Sequence, residues 1–130
     1  MHSISRRNVL KTIALGSGSV ILSSSLFSAI RSKKDKVGVA LVGLGNYSTN
    51  LLAPALQQTK RCYLAGIVTG TPAKAISWKE KYNIPDKNIY NYENFDQIAN
   101  NPDIDVVYVV LPPSMHAEYS IRAANAGKHV

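Results

Sequence analysis

The residues best placed to do chemistry are Gly43-Leu44-Gly45-Asn46-Tyr47-Ser48. Two glycines one residue apart let a chain turn tightly and bring bare amides up to a ligand. At the mouth of a helix such amides hold phosphate, helped by the positive end of the helix dipole. That dipole contributes about 0.3–1 kcal/mol per charge at an exposed site. The spacing Gly-x-Gly-x-x-Ser is that of a dinucleotide pyrophosphate turn, with serine where a third glycine usually stands. Gly43 is expected to make the turn and Gly45 to admit the diphosphate. Ser48 is small enough to let the helix pack on the strand. A Gly-x-Gly alone is weak, so the flanking elements must decide.

A second feature is an absence. No acidic residue occurs between Asp35 and Glu80. An NAD site places Asp or Glu about 20 residues past the glycines, on the ribose hydroxyls. Here that place reads Val68-Thr69-Gly70-Thr71, with Lys74 beyond it. A carboxylate 4 Å from a 2′-phosphate would cost about 4 kcal/mol at an effective dielectric of 20. Its absence, with Thr69 and Lys74 in its place, favours NADP over NAD. The plainer alternative for Lys74 is a solvated helix lysine.

These residues need a strand before them and a helix after them. Residues 36–42 (KVGVALV) form an apolar run without alternation, as in a strand buried on both faces of a parallel sheet. Residues 46–58 carry apolar positions at helical spacing, with Pro54 expected to kink or shorten that helix. CYLAGIV, 62–68, reads as a second strand, and Pro72 suits the first turn of a helix over 73–82 that Asn83 stops. Ile89-Tyr90 suggests a short strand, 93–100 a short helix and 106–111 a strong strand. Ser114 is expected to cap a following helix that Gly127 ends, and His129-Val130 to begin another strand. Strands alternating with helices predict an α/β fold: a Rossmann-type doubly wound parallel sheet, incomplete at the C-terminus. The first and third main strands should be neighbours, with ligand at the carboxyl ends of the strands.

Charge excludes one class of partner. The formal net charge of +7 is concentrated in residues 1–36, which hold seven of the fifteen Lys/Arg and one of the eight acids. Residues 37–130 are nearly neutral and lack the basic face that binds nucleic acid. The one cysteine, Cys62, allows no intrachain disulfide and reads as a small buried hydrophobe. Three scattered histidines give no metal-ligand spacing.

Residues 1–36 run from a basic segment containing Arg6-Arg7, through a serine-rich apolar stretch, to a charged linker. This is the plan of an export signal, and the arginine pair resembles a twin-arginine signal. The expectation is a periplasmic protein carried by the twin-arginine machinery. An amphipathic or anchoring helix is the alternative, and no clear cleavage site is present.

VGLGNYSTNLLAPAL, IVTGTPAKA and the stretch from Ile89 to Val130 together resemble the N-terminal domain of the Gfo/Idh/MocA oxidoreductases, nearest to the glucose–fructose oxidoreductase pattern. The resemblance covers 37–130 and implies an NAD(P)-binding Rossmann domain. It assigns Gly43 to Ser48 to the pyrophosphate turn, Thr69 and Lys74 to a 2′-phosphate, and Tyr92 to the adenine end. Val110, Leu111, Pro112, Pro113, Ser114 and Met115 match the loop running past the cofactor, and His116 a histidine at the head of the next helix, for which a helix-start residue facing solvent is the alternative. Pro113 stands where the family usually has asparagine, which removes one expected contact. The family's Glu-Lys-Pro motif and its catalytic C-terminal domain would lie beyond Val130. No catalytic residue is therefore expected in this chain, which reads as truncated. The resemblance implies hydride transfer between a sugar and a tightly held nicotinamide, in a full-length form that is a homo-oligomer. A redox-neutral glycosidase or epimerase-like relative, or a non-catalytic cofactor-binding fragment, stays open.

Overall fold

The computed structural model describes residues 34–130. The export-signal expectation falls on residues that lie almost wholly outside them.

Four strands form one parallel sheet in the order β3-β2-β1-β4: β1 (Val37–Val42), β2 (Cys62–Val68), β3 (Ile89–Tyr90) and β4 (Val106–Val109). The expected adjacency of the first and third main strands is present, with Val39 to Val42 paired to Val106 to Val109. The unbroken apolar run of β1 serves two cores. Val39 and Leu41 pack beneath α1 (Ala53–Gln58) and α2 (Pro72–Tyr82), with Leu64, Ile67 and Trp78. Ala40 and Val42 face the other core, with Phe95, Ile98, Val107 and Tyr119 of α3 (Pro113–Asn125). Burying a side chain such as Leu41 or Phe95 contributes about 1.5–3 kcal/mol. The chain thus changes faces between β3 and β4, and the winding reverses between β1 and β4.

Helix termini follow local chemistry. Pro72 opens α2, and Asn83 closes it in the left-handed conformation (φ 52°). α3 ends in a Schellman motif. Gly127 (φ 73°) donates to the Ala124 carbonyl and Lys128 to that of Ala123. His129 then makes an isolated parallel bridge to Val106 of β4, where the beginning of a further strand was expected.

Three expectations, on Ser114, the end of β4 and Cys62, need correction. Ser114 does not cap α3: the helix begins at Pro113 with Pro112 as N-cap, and no side chain caps it. Pro113 has the φ of a first helical residue and no N–H to lose, so it starts the helix one position before the serine could. β4 ends at Val109 rather than 111. The short helix expected over 93–100 is present as a 3-10 helix, Phe95–Asn100. Cys62 is half-buried at the start of β2, at the edge of the α1/α2 core. Pro54, expected to kink or shorten the helix, stands in a helical run that widens just before it and ends at Gln58. A π-helical turn, Ser48–Leu52, precedes it, and Ala53 donates to the Ser48 carbonyl. Such turns relieve the clash of a proline ring with the preceding turn.

Candidate cofactor-binding site

The carboxyl edge of the sheet carries four segments side by side: 90–94 after β3, 69–74 after β2, 43–48 after β1 and 110–116 after β4. Backbone bonds fix their order. Thr69 donates to the Tyr90 carbonyl (3.0 Å), Gly43 to Val68 (3.0 Å) and Val110 to Val42 (2.8 Å).

The two glycines of the turn differ in what surrounds them. Gly43 has φ 95° and is packed; a Cβ there would lie 2.3 Å from the Val110 carbonyl oxygen. Its backbone conformation and its neighbours both demand glycine. Gly45 has no positive φ, and a Cβ there would meet no atom within 4 Å. Nothing inside the chain requires glycine at 45, but a ligand resting on the backbone would. The residues present therefore fit a diphosphate.

Side chains of the turn are committed elsewhere. Leu44 is buried in the α1/α2 core. Ser48 is fully buried and its hydroxyl donates to the Gly43 carbonyl at 2.6 Å, locking the turn from inside. Tyr47 is exposed, and its phenol acts on that of Tyr108 of β4 to raise the Tyr108 pKa. Asn46 is exposed and accepts from the Asn50 amide. The turn can therefore offer backbone amides, four of which lack helical partners at a helix start.

Lys74 is exposed on α2, and its side chain makes one contact with the turn. Its Nζ lies 3.1 Å from the Leu44 carbonyl oxygen, bringing an ammonium from α2 to the glycine turn. A concavity of about 580 Å³ between them is lined by Leu44, Gly45, Asn46, Lys74, Ser77 and Trp78. Thr69 is buried, and its Oγ1 accepts from the Thr71 amide (3.2 Å).

Tyr92 is half-buried, which raises its pKa, and a Cβ on Gly70 would lie 2.9 Å from its ring. After β4, Leu111 is buried and Met115 packs on the α3 core. Pro112, Pro113, Ser114 and His116 are exposed at the head of α3.

The family model described as "Oxidoreductase family, NAD-binding Rossmann fold" (GFO_IDH_MocA) matches residues 37–130. The chain belongs to the Gfo/Idh/MocA oxidoreductase family. An aldose-aldose oxidoreductase from Caulobacter crescentus, solved with glycerol, is 46% identical with TM-score 0.72, over 73% of this chain and 28% of that one. KijD10, a 3-ketoreductase from Actinomadura kijaniata in complex with TDP-benzene and NADP in an open conformation, is 27% identical with TM-score 0.63, over 73% and 28%. A dTDP-3,4-didehydro-2,6-dideoxy-alpha-D-glucose 3-reductase from Saccharopolyspora spinosa is 30% identical over 72% of this chain and 27% of its own length. The chain thus spans less than a third of these relatives.

Within this Gfo/Idh/MocA domain the sequence reading missed two participants. One is the Leu44 carbonyl as the seat of Lys74. The other is Arg122, whose guanidinium reaches the Tyr92 carbonyl (3.2 Å) from α3. Its i,i+4 partner Glu118 was the visible sign of a structured guanidinium, but not of where it points.

Proposed function

We propose that this chain is the NADP-binding domain of an exported oxidoreductase that moves hydride to and from sugars. The observation that carries the cofactor reading is the Lys74 ammonium at 3.1 Å from the glycine turn, in a stretch without any carboxylate from 36 to 79. Backbone amides from Gly45 onward would hold the diphosphate. Thr69 and Lys74 would hold the 2′-phosphate, and the 110–116 loop would run along the remainder. A bound nicotinamide supplies the hydride acceptor and donor. The groups that touch the sugar would lie in the part of the relatives this chain does not span. The sugar reading draws on relatives whose names specify an aldose, a 3-ketoreductase and a deoxyglucose reductase.

Titration of the 130-residue chain with NADPH and NADH tests the cofactor. NADPH is expected to bind more tightly, by roughly 10- to 150-fold if Lys74 makes one charge-assisted bond of about 1.5–3 kcal/mol. Lys74→Ala should remove most of that difference and leave NADH binding unchanged. Equal affinities in the parent chain would overturn the NADP reading.

Export by the twin-arginine route rests on Arg6-Arg7 and the serine-rich segment after them. It fits a protein that must fold around a cytoplasmic cofactor before it leaves. Replacing both arginines by lysine is expected to hold the chain in the cytoplasm, read by cell fractionation. Undiminished periplasmic protein would count against the route.

A further inference from the structure

The loop after β3 holds its own shape. Asn91 donates its amide to Asn94 Oδ1 (2.8 Å), and Asn91 Oδ1 accepts from Glu93 and Asn94 (2.9 Å each). These bonds lie within the loop and leave its place on the domain to contacts from outside it. Arg122 supplies such contacts from α3. Its Nε and Nη2 grip the Asp96 carboxylate (2.9 and 3.1 Å), Nη2 reaches the Tyr92 carbonyl (3.2 Å) and Nη1 meets Glu118 (3.4 Å). The guanidinium carbon lies 5.0 Å from the Phe95 ring centre and 4.8 Å from that of Tyr119. Tyr119 in turn stands edge-on to Tyr92, centroids 5.4 Å apart. Only 22% of the Arg122 side chain is exposed, and the guanidinium holds the Asp96 carboxyl below its usual pKa. From Tyr92 the contact passes to Gly70, whose missing Cβ leaves room for the ring. Gly70 directly follows Thr69 in the turn that leads to Lys74.

We propose that Arg122 is a positioning residue for the adenosine side of the dinucleotide site: it seats Tyr92 against Gly70 and so fixes the 69–71 turn. The proposal rests on the cofactor reading above. A lysine could keep the charge opposite Asp96 but not the fork that also reaches the Tyr92 carbonyl.

Two measurements on the 130-residue chain test it. The first needs no ligand. Ring-current displacement of the Gly70 NMR resonances by Tyr92 should be present in the parent chain and lost in both Arg122→Ala and Arg122→Lys. The second uses 2′,5′-ADP and reduced nicotinamide mononucleotide as separate probes. Both variants should bind 2′,5′-ADP about tenfold more weakly, the scale of one charge-assisted hydrogen bond, and the mononucleotide unchanged. Should Arg122→Ala not fold, Gly70→Ala displaces the same ring from the other side and should give the same selective loss. Unshifted Gly70 resonances in the lysine variant, or equal losses for both probes, would overturn the positioning role. A parent chain that shows the Gly70 displacement but binds no NADPH would instead sink the cofactor reading and leave the clamp purely structural.

Discussion

Gly45→Asp is expected to abolish dinucleotide binding while leaving the domain folded. The Gly45 carbonyl accepts from Thr49 (3.0 Å), the first bond of the helical run that starts at 46. Position 45 is therefore a helix cap, where aspartate is as good as glycine or better by a few tenths of a kcal/mol. A Cβ there meets nothing within 4 Å, so the new side chain causes no clash with the protein. It would instead occupy the space where a diphosphate must rest, and it brings a like charge. At about 4 Å that repulsion alone is about 4 kcal/mol at an effective dielectric of 20, beyond the roughly 2.7 kcal/mol that a 100-fold loss requires. Fluorescence titration with NADPH and a thermal melt of the same sample read both halves. Gly45→Asn separates bulk from charge and should lose affinity less. An aspartate variant that binds NADPH as the parent does would remove the diphosphate from this turn.

The architecture was legible because one physical rule dominated each element. Valine-rich runs such as 37–42 are too apolar for a half-exposed strand, and Pro72 and Asn83 bracket α2 as local chemistry requires. Where two rules competed, the sequence was silent on the winner. Pro113 and Ser114 could each start α3, and the proline's fixed φ prevailed. The site was legible at Gly43 as the turn and at Gly45 as the open approach, but not in the packing of Gly43 against Val110 from the segment after β4. The small size of Ser48 was readable, whereas its bond to the Gly43 carbonyl depends on the fold of the turn. Arg122 was out of reach for a plainer reason. Its partners Asp96 and Tyr92 lie 26 and 30 residues earlier, and no local periodicity links them. Long-range polar contacts of this kind come from tertiary packing.

Gly43→Ala should show the opposite behaviour to Gly45→Asp: a weakened fold whose remaining native molecules still bind. At φ 95° an alanine pays the left-handed penalty of about 1–2 kcal/mol. Its Cβ would also lie 2.3 Å from the Val110 oxygen and 3.0 Å from Leu111 Cδ2. Relief by movement is blocked on both sides, because the Gly43 amide donates to Val68 and its carbonyl accepts from Ser48. Overpacking of this kind adds about 1–3 kcal/mol, so the total is a large part of the roughly 5–15 kcal/mol that holds a typical domain. In urea the midpoint should fall with little change in slope. NADPH at 100 times its dissociation constant should restore about 2.7 kcal/mol to Gly43→Ala and nothing to Gly45→Asp. A Gly43→Ala midpoint equal to the parent's would show that the turn can yield, and that the close approach of β1 to the Val110 carbonyl does not constrain this end of the sheet.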